Sequence, residues 1–346
     1  MSKIFVVSND KFFFDKKNIH NSNKNTFTII NCFKKIKKIY LIARKSKNKL
    51  KFNNRINNVE LINVFKLFQL LEQIKKNKTI IISLTPFNFL VSIILIISGV
   101  KKENLFLFLR SDGFQEYKIK FGKIGYFIYG LMYNFLKKNL SVLSCSKSLT
   151  GVTNPKLIYP SEITDRWLKN RKKQIKKISH NKTINLLYLG RFRKEKGYES
   201  LINLFKELEI NASLTMIGND FKYLKKVNYP KIKKIKIFGQ ISSTNELIGF
   251  FDKSDILILP SFIEAYPQVI LESLSRLKPI VIFDEIKYLK KTFQFGLFNC
   301  QRNKTDFEKK IKIIVKNYKK IQMNILKKAI YSQKNFYDQM NKILVD

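Results

Sequence analysis

Short runs that are apolar at every position alternate with longer stretches whose apolar residues recur every three or four positions. The alternation holds along the whole chain. "KIFVVS", "KKIYLIA", "VELINV", "TIIISL", "NLFLFL" and "SVLSCS" fall in the first half, and "INLLYLG", "SLTMIG", "IKIFG", "DILILP" and "PIVIFD" in the second. A strand with one wet face alternates polar and apolar residues, whereas these runs suit strands covered by helices on both faces. Between them the pattern turns helical: Leu201, Phe205 and Leu208 share one face of 197–209. A β-α-β-α rhythm builds parallel sheets, and 346 residues are enough for two of them. The predicted class is therefore α/β, two doubly wound Rossmann-like domains. The first covers 1–170. A charged, turn-rich linker without a hydrophobic face ("RKKQIKKISHNK", 171–182) leads to the second, 183–330. The apolar phase changes before "NFYDQMNKILVD", so 331–346 is expected to be a helix crossing back to the first domain. Ligands of such sheets lie outside the carboxyl ends of the strands, and two domains facing one another place them in a central cleft.

Lys and Arg number 67 against 25 Asp and Glu, a formal charge of +42. Such a surplus points to nucleic acid or an anionic membrane surface as partner. It is also what an A+T-rich coding sequence yields, since Lys, Asn, Ile and Phe are abundant together. The lysines are spread over the whole chain and no nucleic-acid module is present, so no nucleic-acid partner is expected. Cys32, Cys145 and Cys300 are far apart and lack metal-ligand spacing, reading as reduced, buried thiols. The segment 79–100 is broken by Thr85, Pro86 and Asn88, which favours a buried strand, turn and helix over a membrane span. No apolar stretch of signal-peptide length follows Met1, and a cytoplasmic protein is expected.

Chemistry-bearing residues gather at the predicted strand ends of the second half. In "LLYLGRFRKEKG" a strand gives way to Gly190, then Arg191 and Lys196 precede a helix beginning near Gly197. Glycine lets the backbone approach a ligand, and two cations beside a helix start suit phosphate. Gly218 and Gly239 close two further strands, and "SSTNEL" reads as a helix cap. In "LPSFIEAYPQVILESLSRLKP" Pro267 suits a helix start, leaving Glu264 in the preceding loop and Glu272 about a turn and a half inside. Carboxylates placed there can accept from paired hydroxyls, as on ribose or hexose.

The run from "LGRFRKEKG" through "MIGND" and "FGQISSTNELIGFFDKSDILILPSFIEAYPQVILE" to "KPIVI" resembles the C-terminal domain of glycosyltransferase family 4, retaining enzymes of GT-B architecture. The likeness covers about 183–285, and the family's two glutamates correspond to Glu264 and Glu272. The resemblance implies transfer of a sugar from a nucleotide-diphosphate sugar to a cell-surface glycan or lipid-linked acceptor, as in polysaccharide or lipopolysaccharide biosynthesis. Arg191 and Lys196 would hold the diphosphate, Glu272 the ribose and Glu264 the donor sugar, with the backbone of Ala265 and Tyr266 completing the cradle. No cofactor or metal is expected: the chain has no Asp-x-Asp pair, and fixed cations can stabilise the departing diphosphate. The family usually has Gly at Ala265 and Phe at Tyr266, and a glycine-rich turn where this chain has "DEIKYLKK".

The first half matches less well. Its first strand leads into "NDKFFFDKKNIHNSNKN" rather than a glycine-rich loop, and its histidines are His20, read as a polar-loop residue, and His180 in the linker. Arg110, Asp112 and Gly113 follow a strand end; Asp112 suits either a sugar or acceptor hydroxyl or a turn cap. "KFGKIGYFIYGLMYNFLKKN" (120–139) is apolar nearly all round, fitting either core packing or peripheral contact with an anionic membrane on its cytoplasmic side. Two other readings are a GT-B-fold nucleotide-sugar epimerase, disfavoured by the scarcity of acid/base side chains, and a non-enzymatic basic binding protein.

Overall fold

The computed structural model describes residues 3–15, 18–21, 23–50, 52–54, 58–146, 149, 155–179, 182–219 and 234–345. The chain divides into two compact units, Met1–Glu162 with Gln333–Asp346, and Ile163–Ser332.

In the first unit β1 (Lys3–Asp15), β2 (Asn18–Asn21), β3 (Lys38–Lys45), β4 (Phe52–Asn54), β5 (Val59–Ile62), β6 (Thr79–Ile82), β7 (Leu105–Leu109), β8 (Ser141–Ser144) and β9 (Lys156–Leu157) form one sheet. Its parallel body runs β5-β3-β1-β6-β7-β8-β9. The helices α1 (Lys24–Cys32), α2 (Val64–Gln69), α3 (Leu71–Lys75), α4 (Pro86–Ile97) and α5 (Gly113–Asn139) fill the crossovers. Alternate strand residues serve opposite faces. Phe5, Val7, Leu105 and Leu107 join a core with Leu67, Ile74, Val91, Leu95 and Tyr133 of α2 to α5. On the other side Phe108 stacks on Phe336 of the chain's last helix, which also packs on α1.

His20 is not in a polar loop. β1 continues through the apolar Phe12–Phe14 run, shifts register against β3 between Val7 and Lys11, and turns into β2 as an antiparallel hairpin. There His20 faces Phe13, ring centroids 5.7 Å apart, and is buried with Nε2 unbonded among the described residues. His180 lies outside the described residues. The segment 79–100 is β6, a turn and α4, whose Thr85 cap accepts from the Asn88 amide and whose first turn opens with Pro86. Among the described residues no helix is long and apolar enough to cross a membrane.

The second unit is built on β10 (Ile184–Leu189), β11 (Ala212–Ile217), β12 (Ile235–Phe238), β13 (Ile256–Leu259), β14 (Ile280–Phe283) and β15 (Leu297–Cys300), all parallel in the order β12-β11-β10-β13-β14-β15. Its helices are α6 (Asp165–Leu168), α7 (Tyr198–Glu207), α8 (Thr244–Lys253), α9 (Gln268–Ser275), α10 (Leu289–Thr292), α11 (Lys304–Lys316) and α12 (Tyr318–Leu326); α13 (Gln333–Leu344) belongs to the first unit. Leu186, Tyr188, Ile256 and Ile258 face a core shared with α7 and α11, while Leu187, Leu257 and Leu259 face one shared with α8 and α9. The central strands β13 and β14 are buried at every position, and the edge strand β12 alternates.

The boundary falls at 162/163 rather than at a linker over 171–182. Trp167 is buried edge-on to Phe251 at 5.7 Å, and Arg276 donates to the Trp167 and Lys169 carbonyls at 2.8 Å each. The Gln322 side chain donates to the Gln174 carbonyl at 2.8 Å and accepts from the Lys176 amide at 2.9 Å. The segment needs no continuous apolar stripe, because Ile178 alone enters one core of the second unit, Ile175 packs beside the other, and hydrogen bonds to Gln322 hold the backbone around Gln174 and Lys176.

Candidate functional site at the carboxyl edge of the second sheet

β10 and β13 are neighbours from which the strand order runs outward in opposite directions, so their exits flank the switch point of the sheet. After β10 the chain passes through Gly190 and Arg191, buries Phe192, makes a tight helical turn over Lys194–Lys196 and reverses at Gly197 (φ 65°). The Tyr188 hydroxyl, buried beneath, donates to the Arg191 carbonyl at 2.7 Å. Burial pushes that hydroxyl's pKa well up; the charges of Glu264 and Glu195 add to the rise and Arg191 opposes it. The Arg191 side chain is exposed and bonds to no described residue, so its charge is available to an anion without first breaking a contact.

Gly197 lies so close to the β13 exit that a Cβ there would stand 1.9 Å from the Pro260 carbonyl oxygen. The Phe262 amide donates to the Glu195 carbonyl at 3.0 Å, joining the two loops. Across this seam Lys196 Nζ pairs with Glu264 Oε1 at 2.7 Å, and the Ser261 hydroxyl donates to the same oxygen at 2.7 Å. The two side chains are 20% and 10% exposed, so the pair is shielded from bulk water yet open at its rim. An ammonium has three donors, and one bond to Glu264 leaves capacity for a second anion.

Two residues that the sequence reading did not single out brace the loop. The Tyr288 hydroxyl accepts from the Glu264 amide at 3.1 Å and donates to the Glu264 carbonyl. Tyr288 lies in the "DEIKYLKK" stretch, noted only for lacking a glycine-rich turn. Arg302 sits between the Phe262 and Phe283 rings, 4.1 and 4.3 Å from their centroids, and bonds the Pro260 carbonyl, the Ser200 hydroxyl and Glu285 at 3.0, 2.7 and 2.7 Å. Burial alone would raise the Glu285 carboxyl, but the Arg302 hydrogen bond and charge outweigh it and hold the pKa below the ordinary glutamate value.

The remaining candidates sit as follows. Gly218 follows β11 beside the Gly190 loop: a Cβ there would lie 2.0 Å from the Gly190 carbonyl oxygen, so the close approach of the two exits requires glycine. Gly239 follows the edge strand β12 at the same edge of the sheet, three strands from β13. Ala265 is half-buried in the loop before α9, and the Tyr266 ring turns to the core, 4.8 Å from Phe293. Glu272 is half-buried in the second turn of α9, which Pro267 caps. Asp112 belongs to the first unit, where its Oδ1 caps α5 by accepting from the Gln115 amide at 3.0 Å. Arg110, before it, is half-buried; burial lowers its pKa, partly offset by the nearby Cys145, Glu162 and Asp10.

A doubly wound sheet whose switch point carries a cation–carboxylate pair and a second, uncommitted arginine matches a known sequence family over nearly its whole unit. Residues 170–332 match the glycosyl transferases, group 1. A Klebsiella pneumoniae protein of the cps region, itself uncharacterized, is 29% identical over 148 residues, 41% of this chain and 40% of that protein. The chain thus spans well under half the length of that relative. Among solved structures, Anabaena HepE in complex with UDP and glucose aligns over 100% of both chains at 14% identity and a TM-score of 0.66. WaaG, a glycosyltransferase of lipopolysaccharide biosynthesis, aligns over 98% of this chain and 99% of its own at 13% identity and 0.64. The fold is that of the GT-B glycosyltransferases, with two Rossmann-like domains.

Proposed function

We propose that the chain is a retaining glycosyltransferase of family 4 type. It moves a sugar from a nucleotide-diphosphate donor, held at the β10/β13 switch point, to a cell-surface glycan or lipid-linked acceptor. The observation that carries the reading is the Lys196–Glu264 pair, braced by Ser261, with the exposed Arg191 in the same loop as Lys196. Arg191 and Lys196 take the diphosphate. As the glycosidic bond breaks, the leaving oxygen gains charge, and these fixed cations stabilise it without a metal. Lys196 spans Glu264 and the phosphate, so the carboxylate that touches the donor sugar is positioned by the cation that holds the leaving group. Glu272 accepts from the ribose hydroxyls, and the backbone at Ala265 and Tyr266 lines the sugar. The acceptor oxygen attacks the face from which the diphosphate departs, so no protein nucleophile is needed.

The solved relatives support the donor class, since HepE was crystallised with UDP and glucose and again with UDP-glucose. The cps-region relative and WaaG support a surface-polysaccharide or lipopolysaccharide acceptor. Work at the cytoplasmic face of the membrane follows from a lipid-linked acceptor. The test is a thermal-shift panel of nucleoside diphosphates and nucleotide sugars, in which a ligand at 100 times its Kd stabilises the fold by about 2.7 kcal/mol. One nucleotide is expected to raise the melting temperature in wild type and not in Glu272→Ala. A panel without any shift, or an unchanged shift in Glu272→Ala, overturns the donor assignment.

A further inference from the structure

The helix layer α2–α5 of the first unit leaves much of its apolar surface uncovered. α5 breaks at Gly122 (φ 67°, ψ −155°), and a Cβ built there would meet nothing within 4 Å. Phe114 and Tyr117, before the break, pack on Tyr129 after it at 4.8 and 5.0 Å, so the bend is fixed by an aromatic cluster. Beyond the bend the helix carries two apolar stripes. Gly125, Tyr129, Met132, Tyr133 and Leu136 are buried on the core side. Ile124, Phe127, Ile128, Leu131 and Phe135, again at three- and four-residue intervals, are exposed, Ile124 to 72% and Phe127 to 64%. A single layer needs only the first stripe.

The second stripe continues onto neighbouring elements. Phe135 meets Phe89 of α4 edge-on at 5.9 Å. α4 has no charged residue and leaves Leu90 and Ile97 exposed, the latter to 80%. Ile119 and Phe121, exposed just before the bend, alternate with the exposed Lys118, Lys120 and Lys123, and Lys138 is exposed at the far end. α5 carries five lysines and one glutamate, Glu116. A patch of this kind on a soluble unit marks an interaction site. Apolar residues and aromatic rings among lysines whose long stems keep their ammonium groups at the water side fit a bilayer interface bearing negative headgroups.

We propose that the exposed face of α4 and α5 docks the protein on an anionic lipid surface, with Ile119, Phe121, Ile124, Phe127 and Leu131 entering the headgroup region and Lys118, Lys120, Lys123 and Lys138 pairing with lipid phosphates. This deepens the lipid-linked acceptor of the proposed function and rests on that reading for its purpose only, since docking is measurable without any donor. Each lysine near such a surface is worth roughly a fivefold gain in partitioning, and the gain is screened by salt.

The experiment is sedimentation of the full chain with sucrose-loaded vesicles, either phosphatidylcholine alone or phosphatidylcholine with an equal part of phosphatidylglycerol. Wild type is expected to bind the mixed vesicles, weaken steeply as salt rises, and leave neutral vesicles largely unbound. Lys118→Gln/Lys120→Gln/Lys123→Gln should lose roughly 100-fold in partitioning with a flatter salt dependence, and Phe127→Glu/Leu131→Glu should abolish binding at any salt. Each variant is also melted with and without the nucleotide that shifts wild type, which separates a folding defect from a docking defect. Equal binding to neutral vesicles, or undiminished binding by either variant, overturns the proposal. So does light scattering that finds a dimer which Phe127→Glu/Leu131→Glu dissociates, because the face would then join two copies of this chain. Vesicle binding without any nucleotide shift would sink the donor reading and leave the docking face standing.

Discussion

Gly197→Ala tests the seam on which the donor site rests. Alanine in the left-handed region costs about 1–2 kcal/mol wherever it occurs. Here the added methyl also meets the Pro260 carbonyl oxygen at 1.9 Å, and since a Cβ atom essentially never approaches another heavy atom within 3.0 Å, backbone must move by about an ångström. That movement strains the Phe262–Glu195 backbone bond, the Arg302–Pro260 bond and the Lys196–Glu264 pair, each worth about 0.5–1.5 kcal/mol or somewhat more where charged. The expected loss is roughly 3–5 kcal/mol, or about 6–20 °C for a unit of this size. Two controls isolate the parts. Gly99→Ala has the same backbone sign (φ 83°) in open space and should cost only the conformational term, while Gly249→Ala, helical with nothing within 4 Å, should stabilise by about 0.5–1 kcal/mol. The assay is thermal unfolding of all three with and without the nucleotide that shifts wild type. If Gly197→Ala melts no lower than Gly99→Ala and keeps its nucleotide shift, the two loops are not locked together as described and the reasoning fails.

Arg191→Ala should cut turnover at least 100-fold with the melting temperature within about 2 °C, because an exposed side chain without described partners contributes little to folding; transfer by wild type in excess chelator should persist, and loss of it would assign the diphosphate's charge to a metal. Tyr288→Phe removes both hydroxyl contacts to Glu264; water can replace them at this exposed rim, so stability should fall by about 1 kcal/mol or less while the donor KM rises several-fold, and an unchanged KM would remove the bracing role. Lys278 is fully buried, and burial, aided by Lys176 and Arg276 against Asp255 and Asp252, lowers its pKa from 10.5 to about 8. Below pH 8 the folded and unfolded forms carry the same proton and the penalty is complete; from about 8 to 10.5 the unfolded chain binds more protons, so this lysine's contribution to stability rises with pH by about 3 kcal/mol. Lys278→Met should flatten that rise in melts across the window, and a rise of the same size in the variant would place its origin elsewhere.

What could be read in advance follows from how each feature is encoded. Strands such as β13 and β14 announce themselves because burial on both faces leaves no polar position, and the two loops after β10 and β13 carry glycine, cations and acids in a chain short of acids. Lys196 and Glu264 are 68 positions apart, yet their meeting was foreseeable once both were placed at strand exits. Arg302 was not, because one arginine among 67 cations has no local mark; its role arises from two phenylalanines and a carbonyl brought from other strands. Tyr288 was hidden by the departure that displaced the glycine-rich turn. The β1–β2 hairpin was hidden because "FFFD" and "NIHN" straddle polar residues and resemble a loop. The segment after Glu162 carries its apolar anchors, Ile163, Trp167 and Ile178, too far apart amid lysines to form a stripe, and the rest of its attachment runs through main-chain carbonyls that carry no sequence signature.

The chain leaves the first unit at Glu162 and re-enters it at Gln333, which decides how the protein can be cut. A fragment over 163–332 is one continuous stretch with its own two cores and is the natural piece for titrating nucleotides by NMR. A fragment ending near 162 is a different matter. It loses the α13 residues Phe336, Met340 and Leu344, all buried, and bares the side of the first sheet where Phe108 stands. Such a piece should precipitate unless 333–346 is grafted back through a short glycine-serine bridge. Bulky fusions at the carboxyl terminus should likewise be kept clear of that helix.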